Sequence, residues 1–111
     1  MQLLILILKQ VDLMNDILKE LKEAGIKGCT QVDAKGMGES LLSMEDIPMF
    51  GALRQLLSNE EREDVKLLLF VVQDDEVVPT AKTIKKVVDL EKPNTGILFS
   101  LPIYYCEGLT K

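Results

Sequence analysis

The chain has 111 residues, of which 47% are hydrophobic and 28% charged, a composition typical of one globular domain with a single core. Its net charge of -5 argues against nucleic acid or an anionic membrane as the main partner, because both attract basic surfaces. It contains no histidine, which excludes Ser-His and Cys-His nucleophile pairs and histidine zinc sites. We therefore predict one domain over residues 1–111 that is not an enzyme, with no catalytic residue and no metal site.

The first predicted elements are a buried strand and an amphipathic helix. Residues 3–8 are all apolar, which predicts a strand buried on both faces. The run is far shorter than the ~20 residues that span a bilayer and lacks the flanks of a signal peptide, so we expect a cytoplasmic protein. Asp12 is predicted to cap the next helix and Gly25 to end it. Apolar residues recur between them at helical spacing: Met14, Ile17, Leu18, Leu21 and Ala24.

The middle of the chain predicts an exposed strand and a long inserted segment. Residues 26–34 alternate between two faces, as in a half-exposed strand. The inserted segment spans about residues 36–64, and residues 35–47 have no sustained periodicity, which predicts mainly loop. Within it, residues 48–57 have the spacing of a short helix, which we expect to pack on the body of the protein rather than to extend. Residues 59–64 are mostly charged and predict a solvated surface.

The second half repeats the strand, helix, strand order. Residues 65–72 predict another strand that is apolar on both faces. The acidic residues 74–76 open a helix favourably for its dipole. Residues 91–96 have the composition of a turn, and residues 97–105 predict a last strand that Pro102 places at a sheet edge. The helix has an apolar stripe formed by Val77, Ala81, Ile84, Val87 and Val88.

This order predicts an α+β fold, a ferredoxin-like βαββαβ sandwich with an inserted loop and a short helix after strand 2. Both helices would cover one face of the sheet, although the central strands 1 and 3 are apolar on both faces. The uncovered face would exceed the ~300–600 Å² apolar patch of a typical monomer, so we predict a homo-oligomer. Cys29 and Cys106 would lie on opposite edge strands, ~14 Å apart across three strand spacings, which is too far for a disulfide.

A glycine-containing motif stands at the end of the second predicted strand. It consists of Gly28-Cys29-Thr30, four further residues and Lys35-Gly36-Met37-Gly38, followed by Glu39. Backbone without side chains can approach a ligand closely, and backbone N–H groups with one or two lysines can hold a phosphate. The Gly-X-Gly spacing alone is equally compatible with a turn that needs the positive φ of glycine.

With this motif, the chain resembles the PII signal-transduction family from end to end, and within it a divergent, compact-loop, Firmicute-type subgroup. Further matching pieces are the apolar first strand, Asp74-Asp75 after the third strand and Thr95-Gly96-Ile97-Leu98-Phe99 entering the last. The resemblance implies a homotrimer that binds ATP or ADP in clefts between subunits, with no covalent cofactor. It also implies a long loop that docks onto an unidentified transporter, enzyme or regulator, so that the protein reports nitrogen, carbon or energy status without catalysing a reaction.

The sequence departs from the family where phosphates are held. Ile97 stands where the family has a lysine, and residues 103–106 carry neither of the two arginines that normally follow. Lys35 and Lys92 are the nearest replacements. Because each charge-assisted contact is worth ~1.5–3 kcal/mol, the loss should weaken triphosphate binding most, and ADP is expected to bind at least as well as ATP.

Two other functions stay open. A trimeric interaction scaffold with a decayed nucleotide site fits the retained Gly36 and Gly38 and the lost arginines nearly as well. The related trimeric metal-tolerance fold is disfavoured by the lack of histidine and of clustered cysteines. For the nucleotide-binding regulator, the candidate binding residues are Gly28, Cys29, Thr30, Lys35, Gly36, Met37, Gly38, Glu39, Lys92 and Gly96.

Overall fold

The computed structural model describes residues 1–26, 28–36 and 64–109. The predicted short helix at 48–57 and the candidate residues Met37, Gly38 and Glu39 lie outside these ranges. In chain order the elements are β1 (Gln2–Leu8), α1 (Met14–Glu23), β2 (Thr30–Lys35), β3 (Asp64–Val72), α2 (Val77–Lys85) and β4 (Gly96–Pro102), with single 3-10 turns at Val11–Leu13 and Asp74–Glu76.

The four strands form one antiparallel sheet in the order β2-β3-β1-β4. The two strands that the sequence marks as apolar on both faces are therefore the central pair, and the alternating strand and the proline-containing strand lie at the edges. The predicted ferredoxin-like α+β fold is confirmed. Cys29 and Cys106 are both free thiols, as their placement near opposite edges requires.

The core lies between the helices and one face of the sheet, which we call the helix side. Leu6 of β1 pairs with Leu68 of β3 on this side, and both are fully buried. Ile17 of α1 and Ile84 of α2 pack into the same cluster, also fully buried. Burial of each such side chain stabilises the fold by about 1.5–3 kcal/mol relative to exposure.

The opposite face of the sheet, which we call the open face, is apolar, and no described helix covers it. Ile5 of β1 lies between Leu69 of β3 and Phe99 of β4 on this face. The edge strand β4 is the most exposed part, with Ile97 at 53%, Phe99 at 39% and Leu101 at 48% exposure. The two described helices therefore leave an apolar face of the sheet bare, as the doubly apolar strands predict; its size stays a prediction.

The start of α1 differs from the sequence prediction, whereas its end agrees with it. Asp12 lies inside the 3-10 turn that precedes α1, and its side chain makes no capping hydrogen bond to the helix. At the other end Gly25 has a φ of 84°, the left-handed conformation that glycine adopts without penalty. Its N–H donates to the Lys22 carbonyl at 3.0 Å while Ile26 N–H donates to the Leu21 carbonyl at 2.9 Å, which completes a Schellman cap.

Both edge strands are shorter than predicted. β2 begins at Thr30 rather than at residue 26, because the Ile26 N–H is already used by the helix cap. β4 ends at Pro102 rather than at residue 105, because its partner strand β1 begins at Gln2, the residue that pairs with Pro102. The Ile103 N–H still donates to the Met1 carbonyl at 3.0 Å. Beyond the strand the side chains of Tyr104 and Tyr105 are largely exposed.

α2 buries two threonines that the apolar stripe does not include. Ile84 and Val88 are buried as predicted, but Thr80 and Thr83 are also buried, with exposures of 2% and 6%. The Thr83 hydroxyl donates to the Pro79 carbonyl at 3.0 Å, so the helix backbone itself satisfies it. Sequence reasoning missed both residues because a buried threonine cannot be distinguished from an exposed one by polarity alone.

The turn before β4 is tied to the end of β1. The buried Thr95 donates its hydroxyl to the Lys92 carbonyl at 3.0 Å, and its own carbonyl accepts the Lys9 N–H at 3.0 Å. Asn94 has a φ of 63°, as tight turns require. Gly96 follows, and a Cβ built on it would lie 2.7 Å from the Ile7 carbonyl oxygen. Gly96 is therefore required by the close approach of β1.

We predict that Gly96→Ala destabilises the protein by about 1–3 kcal/mol, the usual penalty for overpacking, because the obstructing atom is backbone and cannot rotate away. Gly28→Ala is the matched control, since nothing lies within 4 Å of a Cβ there. Urea denaturation of both variants measures the difference. Equal midpoints for Gly96→Ala and the wild type would contradict this account.

Candidate functional site

A groove lined by charged residues lies where β2 and β3 meet the inserted segment. We call it the charged groove; its volume is about 300 Å³, and it is lined by Asp33, Ala34, Lys35, Asp64 and Lys66. The antiparallel register sets Asp33 opposite Lys66 and Lys35 opposite Asp64. Because alternate residues share a face, all four charged side chains project toward the helix side.

Lys66 is a cation that sequence reasoning missed. Its Nζ lies 3.5 Å from Asp33 Oδ1, and its side chain is about one third exposed. The sequence contains a signal for this residue, because Lys66 interrupts an otherwise apolar strand. A charged side chain is rarely placed at such a position without a partner. The groove thus holds two lysines, but two aspartates offset their charge.

Lys35 and Gly36 are the only described members of the Lys-Gly-X-Gly part of the motif. Lys35 ends β2 and lines the charged groove, and Gly36 follows it directly. This places the candidate phosphate-binding lysine at the base of the inserted segment, as predicted.

The first half of the motif lies at the opposite end of β2. Thr30 begins the strand and Lys35 ends it, so the two are ~17 Å apart at the usual rise per residue. Thr30 pairs with Leu69 and shares the open face with Val32. One chain therefore does not bring Thr30 and Gly36 around a single ligand.

Lys92 and Gly96 lie at the same end of the sheet as Lys35 but at its other edge. Gly96 pairs with Leu8 at the start of β4, three strand spacings or ~14 Å from β2. The side chain of Lys92 is exposed, while its backbone holds the turn. Within one chain the predicted site residues thus occupy three separate places.

Gly28 lines a second groove, at the end of the sheet where β2 begins. We call it the threonine groove; it has a volume of about 340 Å³. Its walls are the C-terminal turn of α1, the end of β3 and the first turns of α2. The lining residues are Ala24, Gly25, Ile26, Gly28, Val71, Val72, Asp75, Glu76, Pro79, Thr80 and Thr83.

Asp74, one of the residues on which the family resemblance rests, has a structural role within a single chain. It accepts hydrogen bonds from the Met1 ammonium at 2.9 Å and from Gln2 Nε2 at 3.3 Å. The bond from the ammonium, followed by that from Gln2, lowers the pKa of the Asp74 carboxyl. These contacts join β1 to the start of α2, at the opposite end of the sheet from Lys35.

The described residues form neither a metal-binding cluster nor a helix that could span a membrane. Across 1–26, 28–36 and 64–109, no cluster of three or more histidine, cysteine, aspartate or glutamate side chains is arranged to hold a metal ion. None of the helices in these ranges has the length and apolar character needed to cross a membrane.

Comparison with known proteins decides the family. The family model for the nitrogen regulatory protein P-II matches residues 1–109. The chain belongs to the PII family. A crystal structure of Arabidopsis thaliana PII bound to citrate shares the fold, with a TM-score of 0.63 and 19% identity over 92% of this chain and 76% of that one. No curated protein sequence gives a significant match.

PII proteins are regulators rather than enzymes, and they are typically trimers that bind small effectors and protein targets. The resemblance drawn from the sequence motifs is therefore confirmed at the level of family and fold.

Cys29, a candidate site residue, is half-buried just before β2, and burial raises the pKa of its thiol. Because the thiolate is the reactive form, we predict that Cys29 reacts more slowly with iodoacetamide than the exposed Cys106. The gap should persist between about pH 7 and pH 9, a range that spans the ordinary thiol pKa. Peptide mass spectrometry measures both rates, and the urea-unfolded chain is the control. Faster labelling of Cys29 in the folded protein would show that its thiol is activated instead.

Proposed function

We propose that this PII protein is a cytoplasmic regulator that binds an adenine nucleotide, with ADP at least as good as ATP. Through its inserted loop it would control a transporter or a metabolic enzyme in nitrogen or energy-status regulation, without catalysis. The observation that carries the proposal is that Lys35 lines the charged groove at the base of that loop, with Gly36 directly after it in the chain. A ligand bound there would touch the segment that is expected to meet the target.

The charges in the groove favour a nucleotide with fewer phosphates. Lys35 and Lys66 are matched by Asp33 and Asp64, and Asp33 lies within 4 Å of the Lys66 ammonium. Residues 103–106 supply no cation. A third phosphate would therefore gain little additional electrostatic stabilisation, since charge-assisted bonds to it are missing.

Further copies of the chain would complete the site. Thr30 lies on the open face, and the Lys92 turn lies ~14 Å from β2, so neither can join Lys35 around one ligand within a single chain. We propose a homotrimer in which the open faces are buried and candidate residues from neighbouring copies meet. Burial of that face contributes about 25 cal/mol for each Å² of apolar area removed from water.

We predict that the wild type is a stable trimer in solution and that Phe99→Glu dissociates it, because a carboxylate would be buried at the open face. Val78→Glu is the matched control: Val78 is 59% exposed on α2, away from the sheet. Light scattering gives the mass of each. A wild type that stays monomeric at micromolar concentration would exclude the trimer. Leu6 and Phe70 are unsuitable for this test, because both are fully buried in the core of one chain.

We predict that Lys35→Ala weakens ADP binding roughly tenfold, the loss of about 1.5 kcal/mol from one charge-assisted contact. Lys82→Ala, an exposed lysine on α2, should leave affinity unchanged. Isothermal titration with ATP, ADP and AMP measures the constants, and higher salt should reduce the contribution of Lys35. Lys92→Ala tests the second candidate cation in the same way.

Two results would overturn the nucleotide proposal. If no adenine nucleotide binds below millimolar concentration in the trimer, the interaction scaffold becomes the better account. If ATP binds tightly with magnesium while ADP does not, the charge argument for the groove is wrong.

A further inference from the structure

The threonine groove contains a buried hydroxyl that the chain itself does not satisfy. Thr80 is 2% exposed and lines the groove, and its hydroxyl makes no hydrogen bond to any residue that the structure describes. Thr83, three residues further on the same helix, bonds to the Pro79 carbonyl. Since buried polar groups are normally paired, Thr80 lacks the partner that its neighbour has.

Gly28 lines the same groove. It has no positive φ, and a Cβ built on it would meet no atom of the described residues within 4 Å. Neither its conformation nor its packing against the described residues therefore requires glycine there. The groove has a volume of about 340 Å³, at the lower end of the range for small-molecule pockets.

The charge of the groove points to the class of ligand. Asp75 and Glu76 are exposed at its rim, and none of its described lining residues is cationic. Glu76 Oε1 already accepts the Gln73 N–H at 2.8 Å, which leaves Asp75 as the more available carboxylate. The C-terminal end of α1 attracts positive charge and the N-terminal end of α2 attracts negative charge, so the two helix ends oppose each other and the carboxylates of Asp75 and Glu76 decide the sign.

We propose that the threonine groove binds a small organic molecule carrying a primary ammonium group. The ammonium would pair with Asp75, and a polar atom of the ligand would bond to the Thr80 hydroxyl, with Gly28 in the wall of the same groove. This site is separate from the charged groove, which lies at the other end of β2.

The binding test uses the full chain labelled with ¹⁵N and titrated with 1,4-diaminobutane, with sodium acetate as an anionic probe and tert-butanol as a neutral one. We expect saturable amide shifts at Gly25, Gly28 and Thr80 with the diamine only. Asp75→Asn should weaken binding about tenfold, the loss of one charge-assisted bond, and Gly28→Val should abolish it. Asp89→Asn, an exposed carboxylate away from the groove, should have no effect.

The stability of a Thr80→Val variant tests independently whether the Thr80 hydroxyl lacks a hydrogen-bond partner. Thr80→Val replaces an unsatisfied hydroxyl by a methyl group, so the free protein should become as stable or more stable, while diamine affinity falls about fivefold with the loss of one hydrogen bond. Thr83→Val, which removes a satisfied bond, should destabilise the protein. ADP titration of Thr80→Val should match the wild type.

Three results would overturn the proposal. The first is the absence of saturable shifts with the diamine, and the second is equal binding of acetate or tert-butanol. The third is a Thr80→Val variant that loses as much stability as Thr83→Val, which would show that the hydroxyl is already satisfied.

Discussion

The two central strands are apolar on both faces, whereas the two helices cover only one face. On the helix side this closes a dry core, in which Leu6 and Leu68 have no exposure. On the other side Ile5, Leu69 and Phe99 lie side by side in an apolar surface that neither of the described helices covers. The hydrophobic effect favours its removal from water. Any site that includes Thr30 is therefore built next to a surface that is suited to another copy.

The edge strand β2 carries charged candidate site residues because its side chains are not buried in the core. Only Ala34 in this strand is even half-buried, so charged residues can be placed on it without desolvation. The charges also select the pairing: Asp33 opposes Lys66 and Lys35 opposes Asp64. A slip of two residues would set Asp33 against Asp64 or Lys35 against Lys66, and like charges directly opposite are unfavourable. The same four residues thus fix the register and line the charged groove.

The positions at which this chain has glycine require it for different physical reasons, and only some of these reasons bear on function. Gly25 ends a helix in the left-handed conformation, and Gly96 lets β1 approach. At Gly28, neither a left-handed conformation nor a close approach of the described residues requires glycine. A glycine that no local constraint explains is the more informative one for ligand binding, and it lies in the groove with the unsatisfied hydroxyl of Thr80. Gly28 lines one groove and Lys35 the other, at opposite ends of β2, so these two residues of the motif do not meet around one ligand within a single chain.

The sequence alone determined the elements, the central strands and the family, because these follow from local patterns: the apolar run at 3–8, the run at 65–72 that only Lys66 interrupts, helical spacing in α1, and the Lys35-Gly36 motif. It also determined that an apolar face would be left bare by the helices, since both central strands lack a polar side. Boundaries that depend on competing backbone bonds were wrong, as at Asp12 and Ile26. Only the tertiary structure showed that Lys66 faces Asp33, that Thr80 and Thr83 are buried, and that Thr30 and Lys35 lie at opposite ends of β2. These are relations between residues distant in the chain or across strands, and they depend on register and packing, which no local pattern encodes.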